Sequence, residues 1–204
     1  MSKNKLLKRI KKAKAISAQD AAEILGGRQK VYRMAERGEL IHVYPEGIGF
    51  FTLPEIEEGE AQFAIVASYY PKCVISGTTA LSLYGLSDDY IREIDVDIPR
   101  TTNLSNPLLR VHRVNPNKII GVTQRSFENK GVPFKVKIYS PERALHEAYK
   151  YYHLTDSFYR ALKRYRNMYL DTTSPGKQYE EILSINKKVG EIIVNFLKMG
   201  DVDE

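Results

Sequence analysis

Two short segments of helical periodicity, separated by a double glycine between Ser17 and Gly38, constrain the fold more than any other feature. Ser17 stands where a helix N-cap would lie, and Asp20 follows three residues later, in a pattern close to a capping box. Gly26 and Gly27 then end this first segment. The second segment stops at Gly38, a residue suited to the left-handed position after a helix. The pattern predicts a short helix, a tight turn and another helix.

The helix after the double glycine is predicted to run from about Arg28 to Arg37. Val31, Met34 and Ala35 recur at i, i+3 and i+4, so they form its buried face. The side chains left on the outer face are mostly polar or charged: Arg28, Gln29, Tyr32, Arg33 and Glu36.

A third helix and a hairpin flank this pair. Leu6, Leu7 and Ile10 give the basic N-terminal segment an apolar stripe at helical spacing. After Gly38, strand-like runs at Leu40–Tyr44 and Ile48–Leu53 enclose a turn at 45–47. Helix, short helix, turn, helix and hairpin is the order of a winged helix-turn-helix domain, whose third helix lies in the DNA major groove.

The charge of the chain is concentrated in the same region. Residues 1–53 hold eleven Lys or Arg and five Asp or Glu, whereas residues 54–204 hold twenty of each. The whole excess of +6 therefore belongs to the first quarter of the chain. This asymmetry predicts a polyanion-binding module joined to a neutral body, although N-terminal lysines can also serve only solubility.

The outer face of the third helix suits DNA. Arginine at 28 and 33 can address guanine or phosphate, and Gln29 can pair with adenine. The lysines of the first helix would neutralise backbone phosphates without reading sequence. The residues predicted to contact duplex DNA are Lys5, Lys8, Lys12, Lys14, Ser17, Arg28, Gln29, Lys30, Tyr32, Arg33, Arg37, His42 and Tyr44. The alternative is a winged domain that docks proteins.

Residues 55–204 predict a mixed α+β domain after a winged domain at 1–54. A short strand, a Gly-Thr turn and a helix are followed by three or four strands, and helices close the chain. Ser140 is a predicted cap with Pro141 in the first turn. Further helices are predicted near 155–170 and 178–198. We expect an α+β fold with a small sheet and C-terminal helices.

A different function is suggested by Asp95 and Asp97, which lie two apart on a predicted strand and so point the same way. With the Gly-Thr turn upstream, they outline a Mg²⁺-dependent nucleotidyltransferase. Against this, the later strand that should supply a third carboxylate carries Lys135 and Lys137. We therefore expect a solvated strand face, no metal site, no cofactor and no enzymatic activity, with nucleotidyltransfer as the alternative.

A second basic face is predicted on the helix near 155–170. Arg160, Lys163, Arg164 and Asn167 recur at i, i+3, i+4 and i+7. The face is either simply solvated or an auxiliary phosphate-binding patch, to which the first three residues would contribute.

Cys73 is the single cysteine, which excludes an internal disulfide and favours a reducing compartment. No apolar run approaches the ~18–20 residues that span a bilayer. No secretory signal follows the basic N-terminus. We expect a cytoplasmic protein with no membrane partner.

With these segments identified, the chain resembles the AbiE abortive-infection antitoxins, bacterial regulators of type IV toxin–antitoxin systems. The resemblance covers nearly the whole length. It rests on "EGIGFFTL" at the predicted wing, on Thr79–Leu81 through Gly85 and Leu86, and on the helix start at Ser140–Ala144. His146 and Glu147 stand where the family often has an aspartate nearby.

The resemblance implies a transcriptional repressor that binds inverted repeats in its own promoter. The C-terminal domain would carry an antitoxin activity used in phage defence. It would counter a nucleotidyltransferase toxin, without a stable complex between the two proteins. A solitary repressor of the same build fits these residues equally well.

Overall fold

A computed structural model describes residues 2–43, 49–128, 130–171 and 173–199. The chain has a mixed α+β fold, as predicted. It divides into two compact units. The first consists of Met1–Cys73 with Gln124–Lys137, and the second of Val74–Thr123 with Ile138–Glu204.

The N-terminal part of the first unit alternates helices with very short strands. Its elements are α1 (Ser2–Ala13), β1 (Ala15–Ser17), α2 (Ala18–Leu25), α3 (Arg28–Glu36), β2 (Ile41–His42), β3 (Phe50–Thr52) and α4 (Glu58–Tyr69). Strand β3 lies between β1 and β2 and is antiparallel to both, with Thr52 opposite Ala15 on one side and Ile41 on the other. Strand β1 was not predicted from sequence. The predicted turn at 45–47 lies outside the described residues.

Local hydrogen bonds and backbone angles explain where α2 and α3 begin and end. The Ser17 hydroxyl accepts a hydrogen bond from the Asp20 N–H at 3.0 Å, so the predicted cap is confirmed. Gly26 ends α2 in the left-handed conformation, with φ of 73°. Gly38 follows α3 with φ of 70°, as predicted. The predicted inner face of α3 is buried at Val31 and Met34.

The remaining elements include five strands and five helices. They are β4 (Val74–Ile75), α5 (Gly77–Leu83), β5 (Ile94–Pro99), β6 (Leu109–Val114), a 3₁₀ turn (Pro116–Lys118), β7 (Val122–Phe127), β8 (Phe134–Tyr139), α6 (Pro141–Tyr152), α7 (Asp156–Met168), α8 (Gly176–Ile185) and α9 (Lys187–Met199). The sheet order is β6-β5-β4-β8-β7. Strand β5 is parallel to β6 and antiparallel to β4, whose Ile75 pairs in parallel with Ile138 of β8.

The single helix predicted at 178–198 is wrong, because the chain forms α8 and α9 there. Asn186 is extended between them, and its Oδ1 accepts a hydrogen bond from the Val189 N–H at 3.2 Å. Asn186 therefore caps α9. The two helices then pack so closely that a Cβ added at Gly190 would lie 2.9 Å from the Ile182 carbonyl oxygen. The helical spacing of apolar residues continues across this break, so the sequence pattern does not reveal that there are two helices.

Local contacts and backbone angles define both ends of helix α6. Its N-terminus is as predicted, with the Ser140 hydroxyl accepting from the Arg143 N–H at 3.3 Å and Pro141 in the first turn. At the other end, His153 has φ of 49° and stops the helix after Tyr152.

The core of the second unit is formed by one side of α5 and the inner faces of α6 to α9. Phe158, Tyr165 and Ile193 are completely buried there. The Tyr165 hydroxyl donates a hydrogen bond to Glu142 at 2.8 Å, so this polar atom of the core has a partner.

Candidate functional site

Helix α3 presents a polar surface that its packing leaves open. Arg28, Gln29 and Arg33 are exposed, while Val31 and Met34 hold the opposite face in the core. The helix begins directly after Gly27, whose φ of 148° is one that side chains rarely adopt. The glycine pair thus brings α3 out of α2 with its charged residues facing away from the core.

The two arginines of this surface differ from the nearby Arg37 in their contacts with acidic side chains. Among the described residues, neither Arg28 nor Arg33 takes part in an ion pair. By contrast, Arg37 at the end of α3 donates to Glu39 at 3.1 Å, and Lys3 contacts the same carboxylate at 2.8 Å. The Lys3 hydrogen bond and the Arg37 charge lower the pKa of Glu39 below its usual value. Arg37 is thus partly engaged, whereas Arg28 and Arg33 remain available to a ligand.

Lys30 has a structural contact that the sequence did not reveal. Its Nζ donates a hydrogen bond to the Leu25 carbonyl oxygen at 2.8 Å. This carbonyl belongs to the last turn of α2, where a cation is favourable. Lys30 therefore stabilises the turn between the two helices.

Tyr32 belongs to an aromatic cluster at the base of α3. Its ring meets His42 and Phe51 edge-on, with centroids 5.4 and 5.3 Å away. His42 in turn stacks on Phe51 at 4.8 Å. Tyr32 remains 38% exposed, but the Nε2 atom of His42 is buried and has no hydrogen-bond partner among the described residues. The cluster anchors α3 on the β2–β3 pair.

Helix α1 carries the predicted phosphate-binding lysines on its solvent face. Lys5, Lys8 and Lys12 are exposed, opposite the buried Leu6 and Ile10. The helix is thus basic on one side and apolar on the other, as predicted.

Lys14 and Ser17 lie where α1 passes into β1 and α2. Lys14 Nζ donates to the Lys11 carbonyl oxygen at 3.1 Å. The Ser17 hydroxyl caps α2, and the Ser17 N–H donates to the Tyr69 hydroxyl at 2.7 Å. That hydroxyl donates onward to Asp20 at 2.7 Å, and this hydrogen bond lowers the pKa of Asp20. Tyr69 was missed because it lies far along the chain on α4.

Tyr44, the last residue predicted to contact DNA, lies outside the described residues.

The second basic face, on α7, is already engaged at one of its members. Arg164 forms a bidentate ion pair with Asp88, with Nη1 at 2.9 Å from Oδ1. The Arg164 hydrogen bond lowers the pKa of Asp88, and Arg164 also donates to the Gly85 carbonyl oxygen at 3.4 Å. Arg160 and Lys163 are exposed. Since a paired guanidinium must leave its carboxylate to bind phosphate, Arg164 is poorly placed for the predicted patch.

The carboxylates of Asp95 and Asp97 are buried, so the expectation of a solvated strand face is wrong. Asp95 is 0% exposed and Asp97 1%. Both lie on β5, which runs between β4 and β6 in the sheet. Buried polar side chains are normally hydrogen-bonded, and here the partners come from distant segments of the chain.

Both oxygens of Asp95 have donors. Thr78 donates to Oδ2 at 2.7 Å, and His112 Nε2 lies 2.9 Å from Oδ1, with Arg110 at 3.7 Å from the same oxygen. Burial opposes ionisation, but these contacts overcome it and lower the pKa of Asp95. A Cβ added at Gly77 would lie 2.9 Å from the Asp95 carboxyl carbon, so glycine is required where α5 meets β5.

Only one of the two carboxylate oxygens of Asp97 has a hydrogen-bond donor among the described residues. The Tyr139 hydroxyl donates to its Oδ2 at 2.7 Å, while Oδ1 is buried and has no hydrogen-bond partner among the described residues. Burial and the Asp97 charge raise the pKa of Tyr139, which stays protonated. The 42 residues between the two partners explain why the sequence did not indicate this contact.

The described residues hold no group of three metal-ligating side chains. Lys135 and Lys137, on the strand where the nucleotidyltransferase outline needs a carboxylate, are exposed. The aspartates therefore accept hydrogen bonds, and the part of the chain that the structure describes adds no side chain that completes a three-ligand group for Mg²⁺.

Comparison of the chain with known protein families and with characterised proteins finds no match to either. Within the described ranges, no helix has both the length and the apolar content needed to cross a lipid bilayer.

Proposed function

We propose that the first unit contains a winged helix-turn-helix domain that binds double-stranded DNA, with α3 in the major groove. The order of α1, β1, α2, α3, β2 and β3 supports this, as does the central position of β3 in the antiparallel β1-β3-β2 sheet. The protein would act as a transcriptional repressor.

The observation that carries the proposal is the unpaired cationic surface of α3. Arg28, Gln29 and Arg33 project from the helix away from its buried face, and the described residues offer no carboxylate partner to either arginine. Arginine forms bidentate contacts with guanine O6 and N7, and glutamine with adenine N6 and N7. These side chains are therefore the proposed base-reading set.

Backbone phosphates would be held mainly by Lys5, Lys8 and Lys12, which are exposed along α1. Arg37 is less suited, because its guanidinium already contacts Glu39. Ser17 and Lys30 would contribute indirectly, since their side chains hold the start and end of α2.

Binding is tested by fluorescence anisotropy with the DNA upstream of the gene, which we expect to contain inverted repeats. Arg33→Ala should weaken binding to the specific site by roughly 1–3 kcal/mol. Arg92→Ala, an exposed arginine of the second unit, is the matched control and should change little. Equal affinity for specific and scrambled DNA, or an unaffected Arg33 variant, would refute the assignment.

We further infer that the chain is the antitoxin of a type IV system and counters a nucleotidyltransferase toxin without a stable complex. The support is the resemblance of the segments at Thr79–Leu86 and Ser140–Ala144 to AbiE antitoxins. Co-expression with a neighbouring nucleotidyltransferase gene should restore growth, while pull-down recovers no complex. Continued growth arrest would count against the antitoxin role.

The same inference assigns no enzymatic activity to the chain. It is supported by Asp95, whose two oxygens are already engaged by Thr78 and His112. A labelled-nucleotide transfer assay should show no turnover by the wild-type protein. Turnover that Asp95→Ala abolishes would instead favour the nucleotidyltransferase alternative.

A further inference from the structure

The second unit contains a cavity of about 400 Å³ that the DNA-binding proposal does not use. Asp97 of β5, residues of α6 and the junction of α8 with α9 line it. Its size falls within the roughly 300–1,000 Å³ range of small-molecule sites.

Two buried polar atoms of the lining have no partner among the described residues: Oδ1 of Asp97, an acceptor, and Nε of Arg143, a donor. Both groups contact Tyr139. Its hydroxyl donates to the other Asp97 oxygen at 2.7 Å, and the Arg143 guanidinium lies over its ring at 4.7 Å. Because an unpaired buried polar atom is costly, a ligand that supplies both partners is favoured here.

The charged and titratable side chains beside Asp97 Oδ1 and Arg143 Nε already have other partners. Arg143 Nη2 donates to Glu147 at 3.0 Å, and Glu147 also pairs with Lys150 at 3.4 Å. His146 donates from Nε2 to the Ile182 carbonyl oxygen at 2.8 Å, and burial lowers its pKa to about 4, so it is neutral. The acceptor of Asp97 and the donor of Arg143 are thus left without a partner among the described residues.

The charged residues of the lining differ in exposure. Asp97 is 1% exposed, whereas Lys118 and Lys150 are exposed to solvent. An occupant that matches these residues has a hydrogen-bond donor beside an acceptor for the buried Asp97 and Arg143 atoms, and an anionic group for an exposed lysine. Val114, Ile185 and Val189 add apolar side chains to the lining.

The geometry points to a nucleoside monophosphate whose base carries an exocyclic amino group, as adenine and cytosine do. The amino group would donate to Asp97 Oδ1, and a ring nitrogen would accept from Arg143 Nε. The phosphate would be bound by Lys118, an exposed lysine of the cavity lining. The second unit would thereby sense a small nucleotide.

The test is isothermal titration calorimetry of the full-length protein with AMP, IMP, CMP and UMP. IMP and UMP replace the amino group by a carbonyl oxygen, so AMP should bind at least about tenfold tighter than IMP, or CMP than UMP. The pair that shows the difference identifies the base. No binding up to about 1 mM, or equal binding within both pairs, would overturn the inference.

Asp97→Asn gives a sharper result, because the shape is kept and one oxygen becomes an amino group. The single amide oxygen must accept from Tyr139, which leaves an NH₂ group toward the ligand. The preference for the amino base should then be lost, because the new NH₂ group faces the exocyclic amino group of AMP or CMP, while the ring N–H of IMP or UMP still faces the Arg143 donor. An unchanged order in the folded variant would contradict the assignment.

Lys118→Gln tests the phosphate contact even if the Asp97 variant does not fold. It should lower AMP affinity about fivefold or more while leaving adenosine affinity unchanged. Lys177→Gln, an exposed lysine outside the cavity, is the control. Equal effects of the two lysine variants would show that Lys118 does not hold the phosphate and would overturn this arrangement.

Discussion

Tyr69→Phe removes one hydroxyl that joins α4 to the start of α2. This hydroxyl accepts from the Ser17 N–H and donates to Asp20, each at 2.7 Å. Burial and the Asp20 hydrogen bond raise the pKa of Tyr69, so it remains a donor at neutral pH. The substitution keeps the ring, which packs edge-on against Phe50 at 4.9 Å. It therefore isolates the two hydrogen bonds.

The expected loss follows from the charge and the exposure of the partners. A hydrogen bond to a charged group contributes roughly 1.5–3 kcal/mol, and a neutral one about 1 kcal/mol. Asp20 and Ser17 are both partly exposed, so water replaces part of what is lost. We expect Tyr69→Phe to lower the free energy of unfolding by about 1–2 kcal/mol.

The loss should depend on pH, because the Tyr69 hydrogen bond lowers the pKa of Asp20 from its ordinary value of 3.8. A depressed carboxyl pKa stabilises the fold above the ordinary value, and this stabilisation disappears as the pH falls through the folded pKa. The difference between wild type and Tyr69→Phe should therefore be largest near about pH 7 and smaller near about pH 3.

Urea denaturation at both pH values measures the difference, and amide hydrogen exchange at Ser17 reports the local loss. Exchange at Ser17 should become about tenfold faster in the variant, in line with roughly 1.4 kcal/mol. Tyr90→Phe, at a tyrosine that is 91% exposed, should change neither quantity. A Tyr69→Phe protein with wild-type stability and Ser17 exchange would refute this reasoning.

Three further predictions follow from particular contacts. Gly190→Ala should destabilise the second unit by roughly 1–3 kcal/mol, because the added Cβ would meet the backbone of α8. Gly176→Ala is the control, since a Cβ there meets nothing within 4 Å, and thermal melting compares the two variants. Arg164→Gln should leave the salt dependence of DNA binding unchanged, because Arg164 is paired with Asp88. If the variant's affinity instead falls less steeply with salt concentration than that of the wild type, Arg164 does bind phosphate. Cys73 should resist a thiol reagent at about pH 8 until the protein unfolds, because burial raises its pKa to about 11; rapid labelling of the native protein would contradict this.

The parts of the fold that depend on neighbouring residues could be predicted from sequence. The caps at Ser17 and Ser140 and the left-handed Gly26 and Gly38 follow from contacts within about four residues. The outward face of α3 also followed from helical spacing, since burying Val31 on one side exposes the other side.

The features that depend on distant partners could not be predicted. Strand β1 exists because Ala15 pairs with Thr52, and three residues give no periodicity of their own. Asp95 and Asp97 were expected to be solvated because their donors lie 17 and 42 residues away, at His112 and Tyr139. The cavity beside Asp97 therefore had no signal in the sequence, although the Asp pair itself did.

The most direct test of the central claim replaces single guanines of the bound DNA by 7-deazaguanine, which lacks the N7 acceptor of the major groove. If α3 lies in that groove, one or more of these replacements should weaken binding by the wild-type protein by roughly 1–3 kcal/mol. The same replacement should have little further effect on Arg28→Ala or Arg33→Ala, whichever contacts that base. Equal losses for the wild type and both variants, or no loss at any guanine, would contradict an α3 that reads DNA in the major groove.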